Sequence, residues 1–212
     1  MIGMTTVSEK CAEWRHAGGE WSAFDQSSDL IAPLIEQYPT YAVVKNGVCY
    51  AASCVFVQAR LALVPKKHDD VFNLVASSNM RTVIGDKQRK FTINKNPETR
   101  FRLAGLTATR RFGEVDRPPE LSGRENLFLE IENPGVYIFQ AFGTDHKGHA
   151  LAFDTRDLAN VFFFDANCGL FSNRSFGYFK DWYRRFWEAK HPDGTTYKRS
   201  FGRGGRWLVS YS

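Results

Sequence analysis

Cysteine is scarce in this chain. The four present, Cys11, Cys49, Cys54 and Cys168, are too few for the disulfide framework of a small secreted domain. No two form a Cys-x-x-Cys pair and no zinc-ligand spacing appears, so a structural zinc module is not expected and a reducing compartment suits the chain best. Long apolar runs are missing as well. Residues 47–64 come nearest, and Gln58 and Arg60 interrupt them, which reads as a buried core helix in place of a membrane span. The opening Met1-Ile2-Gly3-Met4 has neither a basic n-region nor an apolar h-region, so no signal peptide is expected. Ile2 excludes direct N-myristoylation. There is no internal repeat and no low-complexity segment. Charge is nearly balanced: 28 Lys and Arg against 23 Asp and Glu leave +5. That helps attract an anionic surface but does not argue for nucleic acid, and no nucleic-acid partner is expected.

What is present points to a folded domain. Hydrophobic residues are 43% of the chain and aromatics 15%, enough for a sizeable core. The length suits one domain, or one with a small annex. Residues 1–28 are polar and read as an irregular N-terminal arm that packs through Trp14 and Trp21, ahead of a domain over 29–212. Helices are expected over 29–37 with Ser28 as cap, from Val48 onward, over 69–83 closed near Gly85, and over 98–111. The last is basic on one face, which reads as solvated surface. Residues 112–126 carry Gly113, Pro118, Pro119 and Gly123 and are expected to be loop. The pattern then changes. Three β-rich runs, over 135–142, 148–154 and 160–165, are separated by short polar loops as in an antiparallel meander. An aromatic helix over 175–190 and a last strand over 206–211 come after them. Helices first and sheet afterwards make the class α+β.

The chemistry-bearing stretch begins after the turn signal Asn46-Gly47. From Val48 the apolar positions recur at helical spacing, which puts Cys49 in a first helical turn. Unpaired backbone N–H groups and the positive end of the helix dipole favour a thiolate there. Two polar residues of the β-rich half complete the set. His149 opens one strand and Asp165 closes the next. A hairpin centred on Asp157 would make them direct cross-strand partners, and their even separation puts both side chains on one face. A one-residue slip would break this pairing. Cys49 is then the candidate nucleophile, His149 the acid–base and Asp165 the group that orients it. The Cys49 N–H is one candidate oxyanion donor, and Asn46 the nearest amide side chain for a second. Each residue alone has an ordinary explanation, such as an inert core thiol or a turn-forming aspartate. Helix start, hairpin geometry and chain order distinguish them together. Cys54 reads as core, Cys11 as part of the polar arm, Cys168 as a neighbour of the site and His146 as exposed.

Gly47-Val48-Cys49 at the head of an apolar helix, Gly148-His149-Ala150-Leu151-Ala152, and Phe163-Phe164-Asp165-Ala166-Asn167-Cys168-Gly169 resemble the three blocks of the YopT/AvrPphB cysteine proteases, bacterial effectors with a papain-like fold. The resemblance spans roughly residues 40–210. It implies a papain-like α+β domain in which Cys49, His149 and Asp165 act as nucleophile, base and orienting acid, with no metal and no cofactor. It further implies a secreted effector working in a host cytosol on a protein substrate such as a signalling protein, with contact to a membrane surface open. Residues 1–28 become a candidate delivery segment. Ala166 and Cys168 depart from the family, which commonly has proline after the acid and an aromatic before the glycine, and this reshapes the rim of the site. The same triad can run deamidation, transglutamination or acyl transfer. A non-enzymatic binding module on this fold is the rival from another class.

Overall fold

The computed structural model describes residues 5–62, 67–93, 105–112, 123–143, 148–201 and 206–211. Its first element is a helix, α1 (Val7–His16), in place of the expected irregular arm. Thr6 caps it. The Thr6 side chain accepts from the Glu9 N–H, and the Glu9 carboxylate accepts from the Thr6 N–H at 2.6 Å, so two orphan donors are satisfied reciprocally. Trp14 buries completely and donates its indole N–H to Ser172 O at 3.0 Å. With strand β1 (Glu20–Ser22), α1 joins the arm to the main core.

Next comes a π-helical turn, Gln26–Ile31, capped by the Asp25 side chain, which accepts from the Ser27 N–H. It leads into α2 (Ala32–Gln37), so the expected cap at Ser28 is replaced by one three residues earlier. A 3-10 segment, Pro39–Asn46, ends at Gly47 with φ 122°, a conformation that favours glycine. Helix α3 (Cys49–Leu61) begins where the periodicity places it.

The helix expected over 69–83 is two helices, α4 (His68–Ala76) and α5 (Ser78–Ile93), with the break at Ser77. Gly85 lies inside α5 and does not end it. A Cβ there would stand 2.5 Å from Leu34 Cδ2 and 2.9 Å from Tyr41 Cδ1, so glycine serves the close approach of α5 to the Leu34–Tyr41 surface. The basic helix over 98–111 is contradicted at its end, since Ala108–Phe112 is a strand, β2; residues 98–104 lie outside the described residues. The loop expected over 112–126 gives way at Gly123, where α6 (Gly123–Ile131) begins.

The β-rich half matches its pattern: β3 (Val136–Phe142), β4 (Gly148–Asp154), β5 (Val161–Asp165) and the final strand β7 (Arg206–Tyr211). A strand that the pattern does not separate, β6 (Gly169–Arg174), returns after Asp165. Helix α7 (Phe176–Glu188) is capped by Ser175, and α8 (Tyr197–Phe201) is short. The sheet order is β1-β6-β5-β4-β3-β7-β2, every pairing antiparallel.

Both faces of this sheet are covered, which explains why β5 is buried along its length and reads as a continuous apolar run. Alternation sorts its side chains: Phe162 and Phe164 face one core, Val161 and Phe163 the other,. The first core is filled by α3 through Ala51, Ala52, Val55, Phe56 and Ala59. The second is filled by α7 and α1 through Phe179, Trp182, Tyr183, Phe186 and Trp14. The fold is α+β, helices on an antiparallel sheet. Among the described residues no helix is long and apolar enough to cross a membrane.

Candidate active site

Cys49 is the first residue of α3, and its N–H therefore has no acceptor within the helix,. It is half-buried, whereas Cys11, Cys54 and Cys168 are buried; all four thiols are free. Burial pushes the Cys11 and Cys54 thiols up to about 12 and raises Cys168 well above its usual range. Those three are protonated and inert at neutral pH.

His149 and Asp165 leave β4 and β5 on the same face, but they are not direct partners. Asp165 pairs with Leu151, two residues along β4 from His149. The hairpin thus turns one residue later than expected, on Leu158. The even separation preserves the common face, and the diagonal gap is spanned because imidazole is long. His149 Nε2 lies 2.9 Å from Asp165 Oδ1, a charge-assisted bond between a residue 5% exposed and one wholly buried. With Nε2 committed to the carboxylate, Nδ1 is left for Cys49, whose side chain hydrogen-bonds the ring.

The electrostatics reflect these partners. Burial opposes the charged form of His149, but the Asp165 carboxylate, its hydrogen bond and the Cys49 side chain outweigh it, and the imidazole is raised to about 10. Burial likewise opposes the Asp165 anion. The His149 charge and bond, the Asn167 N–H at 2.8 Å and the Tyr197 hydroxyl at 2.7 Å prevail and hold the carboxyl below its usual range,.

Two residues of this network do not stand out in the sequence. Tyr197 stacks on the His149 ring, centroids 5.1 Å apart and planes 19° from parallel. Its hydroxyl donates to Asp165 Oδ2 and sits 3.2 Å from His149 Nε2. It therefore holds both members of the pair at once. Gln26 is the other. The Val48 N–H donates to Gln26 Oε1 at 2.7 Å, and Gln26 Nε2 donates to Asn167 Oδ1. One carboxamide thus ties the head of α3 to the turn after Asp165. Neither has a readable signal: Tyr197 follows the polar stretch His191-Pro192-Asp193-Gly194-Thr195-Thr196 and opens a helix of only five residues, and Gln26 precedes its partners by 22 and 141 residues. The Asn46 side chain and His146 lie outside the described residues. Cys168 lies against the network, its Sγ 4.0 Å from Tyr197 OH. Among the described residues no group of three or more His, Cys, Asp or Glu is placed to hold a metal ion.

No protein-family model matches this chain, and no curated protein matches it in sequence. Solved structures do match in fold, among them the following two. The Pseudomonas avirulence protein AvrPphB superposes with a TM-score of 0.55 at 13% identity, over 80% of this chain and 94% of its own. PatoxP, a cysteine protease-like domain of the Photorhabdus asymbiotica toxin PaTox, superposes with a TM-score of 0.50 at 10% identity, over 97% of this chain and 59% of its own. The likeness shows a papain-like fold shared with cysteine protease-like domains.

Proposed function

We propose that the chain is a thiol protease that cleaves a protein substrate through an acyl-enzyme, with Cys49, His149 and Asp165 as its triad. The observation that carries this reading is the unbroken chain of contacts from the thiol at the head of α3, through the imidazole, to a buried carboxylate. Cys49 Sγ, as the thiolate of an ion pair with His149, attacks the scissile carbonyl carbon. A carbon–sulfur bond forms, and negative charge moves onto the carbonyl oxygen, where the Cys49 N–H is one donor. The carbon–nitrogen bond then breaks, and His149 gives its proton to the departing amine. Water adds to the thioester with His149 taking its proton, and the carbon–sulfur bond breaks to restore the thiolate. Asp165 keeps Nε2 protonated and the ring in place throughout. Asn46 is the proposed second oxyanion donor. Tyr197 and Gln26 act through their neighbours as positioning residues.

The finer reading of role rests on the names of the structural neighbours, an avirulence protein and a toxin domain. It is a bacterial effector or toxin acting on a host protein, with residues 1–28 as a delivery segment that also packs on the core through Trp14. Proteomic comparison of new N-termini in cells expressing wild type or Cys49→Ala tests the activity. Cleavages present only with wild type are expected, and identical sets would overturn it. Iodoacetamide labelling tests the nucleophile separately: Cys49 is expected to react at least about tenfold faster than the three buried thiols, and equal rates would remove it.

A further inference from the structure

A cavity of about 630 Å³ opens beside the turn after Asp165, within the size range of pockets that enclose small ligands. Its depth is apolar and soft: Val7, Cys11, Phe24 and Cys168 are buried, and the ring of Trp21 forms one side. The charged side chains at the cavity, Asp25, Asp29 and Lys190, are all exposed at its rim. His191 closes the remaining side, its Nε2 buried without a hydrogen-bond partner among the described residues and its ring edge-on to Tyr197 at 4.2 Å.

The cavity adjoins the residues that brace the triad. Asn167, which lines it, donates its N–H to Asp165 and accepts from Gln26, the residue that holds the Val48 N–H. Cys168, also in the wall, touches the Tyr197 hydroxyl. These contacts put the cavity on the imidazole and carboxylate side of the sulfur. That is the side on which His149 protonates the departing amine, so the half of the substrate leaving with the amine lies nearest to it.

We propose that this cavity is the pocket for a bulky aromatic side chain of the substrate, carried within the first two residues after the scissile bond. The assignment rests on the thiol protease reading. Two aromatic walls and two sulfurs suit a ring, because ring–ring and sulfur–ring contacts both favour it beyond the area buried. A fixed positive or negative charge would have to reach the rim to find a partner. The triad makes the cut, and the pocket selects the residue on its amine side.

The test is cleavage-site profiling of a peptide library with wild type, Cys49→Ala and Ala23→Trp. Ala23 lines the cavity, is exposed and takes no part in the triad or its bracing, so the substitution narrows the pocket without removing a core contact. The new N-termini released by wild type are expected to be enriched at least about fivefold in Phe, Tyr or Trp at the first or second position. Ala23→Trp is expected to lower cleavage of those peptides about tenfold while changing peptides with Gly or Ser there by less than about twofold, since only the ring loses the apolar surface it would bury. Wild-type cleavage with no aromatic preference, or an aromatic preference indifferent to Ala23→Trp, overturns the pocket but leaves the protease. A preference for Lys or Arg that Asp25→Asn or Asp29→Asn removes also overturns it, by assigning the space to a cationic side chain. No wild-type cleavage above Cys49→Ala fails the protease reading itself, and the pocket with it.

Discussion

The two faces of the sheet are built from different materials. Against α3 the packing is mostly small and aliphatic, with Ala51, Ala52, Cys54, Val55 and Ala59 on the helix and Val136, Ile138, Ala150 and Ala152 on the strands. Against α7 and α1 it is aromatic, with Phe163 in ring contact with Phe153, Phe171, Phe179, Trp182, Tyr183 and Phe186. Small residues let the axis of α3 come close to the sheet on one face. His149 and Asp165 leave the other face beside Leu151 and Phe163,, so the thiol at the head of α3 meets the imidazole at the end of the strands. Rings on the other face supply bulk, and Tyr197 carries that face to the edge of the site, where it stacks on His149. One face sets a distance and the other supplies rigidity.

Substitutions can separate these two contributions. Cys49→Ala should show the largest effect on chemistry, a loss of proteolysis of at least about 10⁴-fold, with Tm nearly unchanged because a half-buried thiol is small. A large fall in Tm in a thermal melt would mean that Cys49 is structural. Asp165→Asn should cost about 3–5 kcal/mol, because it leaves a buried imidazolium without its partner.

That cost depends on pH in a defined way. The lowered Asp165 contributes stability above its ordinary value of 3.8 and loses it as acid protonates the folded carboxyl. The raised His149 contributes fully below its ordinary value of 6.5 and loses it as pH climbs through about 10,. The Tm gap between wild type and Asp165→Asn should therefore be widest between those two ordinary values and close on both sides. A gap constant with pH would show that the pair is not ionic.

On the aromatic face, Phe163→Ala should cost about 3–5 kcal/mol, measured by denaturant unfolding. Ala52→Leu, on the small-residue face, should cost about 1–3 kcal/mol by overpacking. It should also depress activity more than its stability cost explains, because it lifts α3 away from His149. Equal behaviour of the two would erase the distinction between the faces. The smallest effect belongs to Tyr197→Phe, which keeps the ring and removes the hydroxyl bond to Asp165: about 1–2 kcal/mol and roughly a tenfold fall in kcat with KM unchanged. An unchanged imidazole titration by NMR would reduce Tyr197 to a packing residue.

Much of this is legible along the chain, for reasons of local physics. A long apolar period after Gly47 announces α3 and its first residue, and alternating runs bounded by turns announce β3, β4 and β5. The aromatic stripe from Phe176 to Trp187 announces α7. Elements with mixed local signals stay hidden. The buried apolar residues of α1, Val7, Cys11 and Trp14, are scattered among polar ones, Gly85 looks like a helix end but serves a close approach, and the basic run at 108–112 is an edge strand. In the site, the parity of His149 and Asp165 is readable, but their register is not. Asp165 pairs with Leu151 because the hairpin turns on Leu158, and turn geometry outweighs any symmetry in the spacing.

Residue order and periodicity alone settled the α+β class, the position of Cys49 at a helix head and the common face of His149 and Asp165, because each depends on neighbours a few residues away. The fold had to settle the rest: which ring nitrogen meets the carboxylate, that Tyr197 and Gln26 brace the network, and that a cavity opens beside it. Those outcomes depend on contacts across 16 to 141 residues of chain, and such contacts leave no period to read. They arise only when two cores of different bulk close on opposite faces of one sheet.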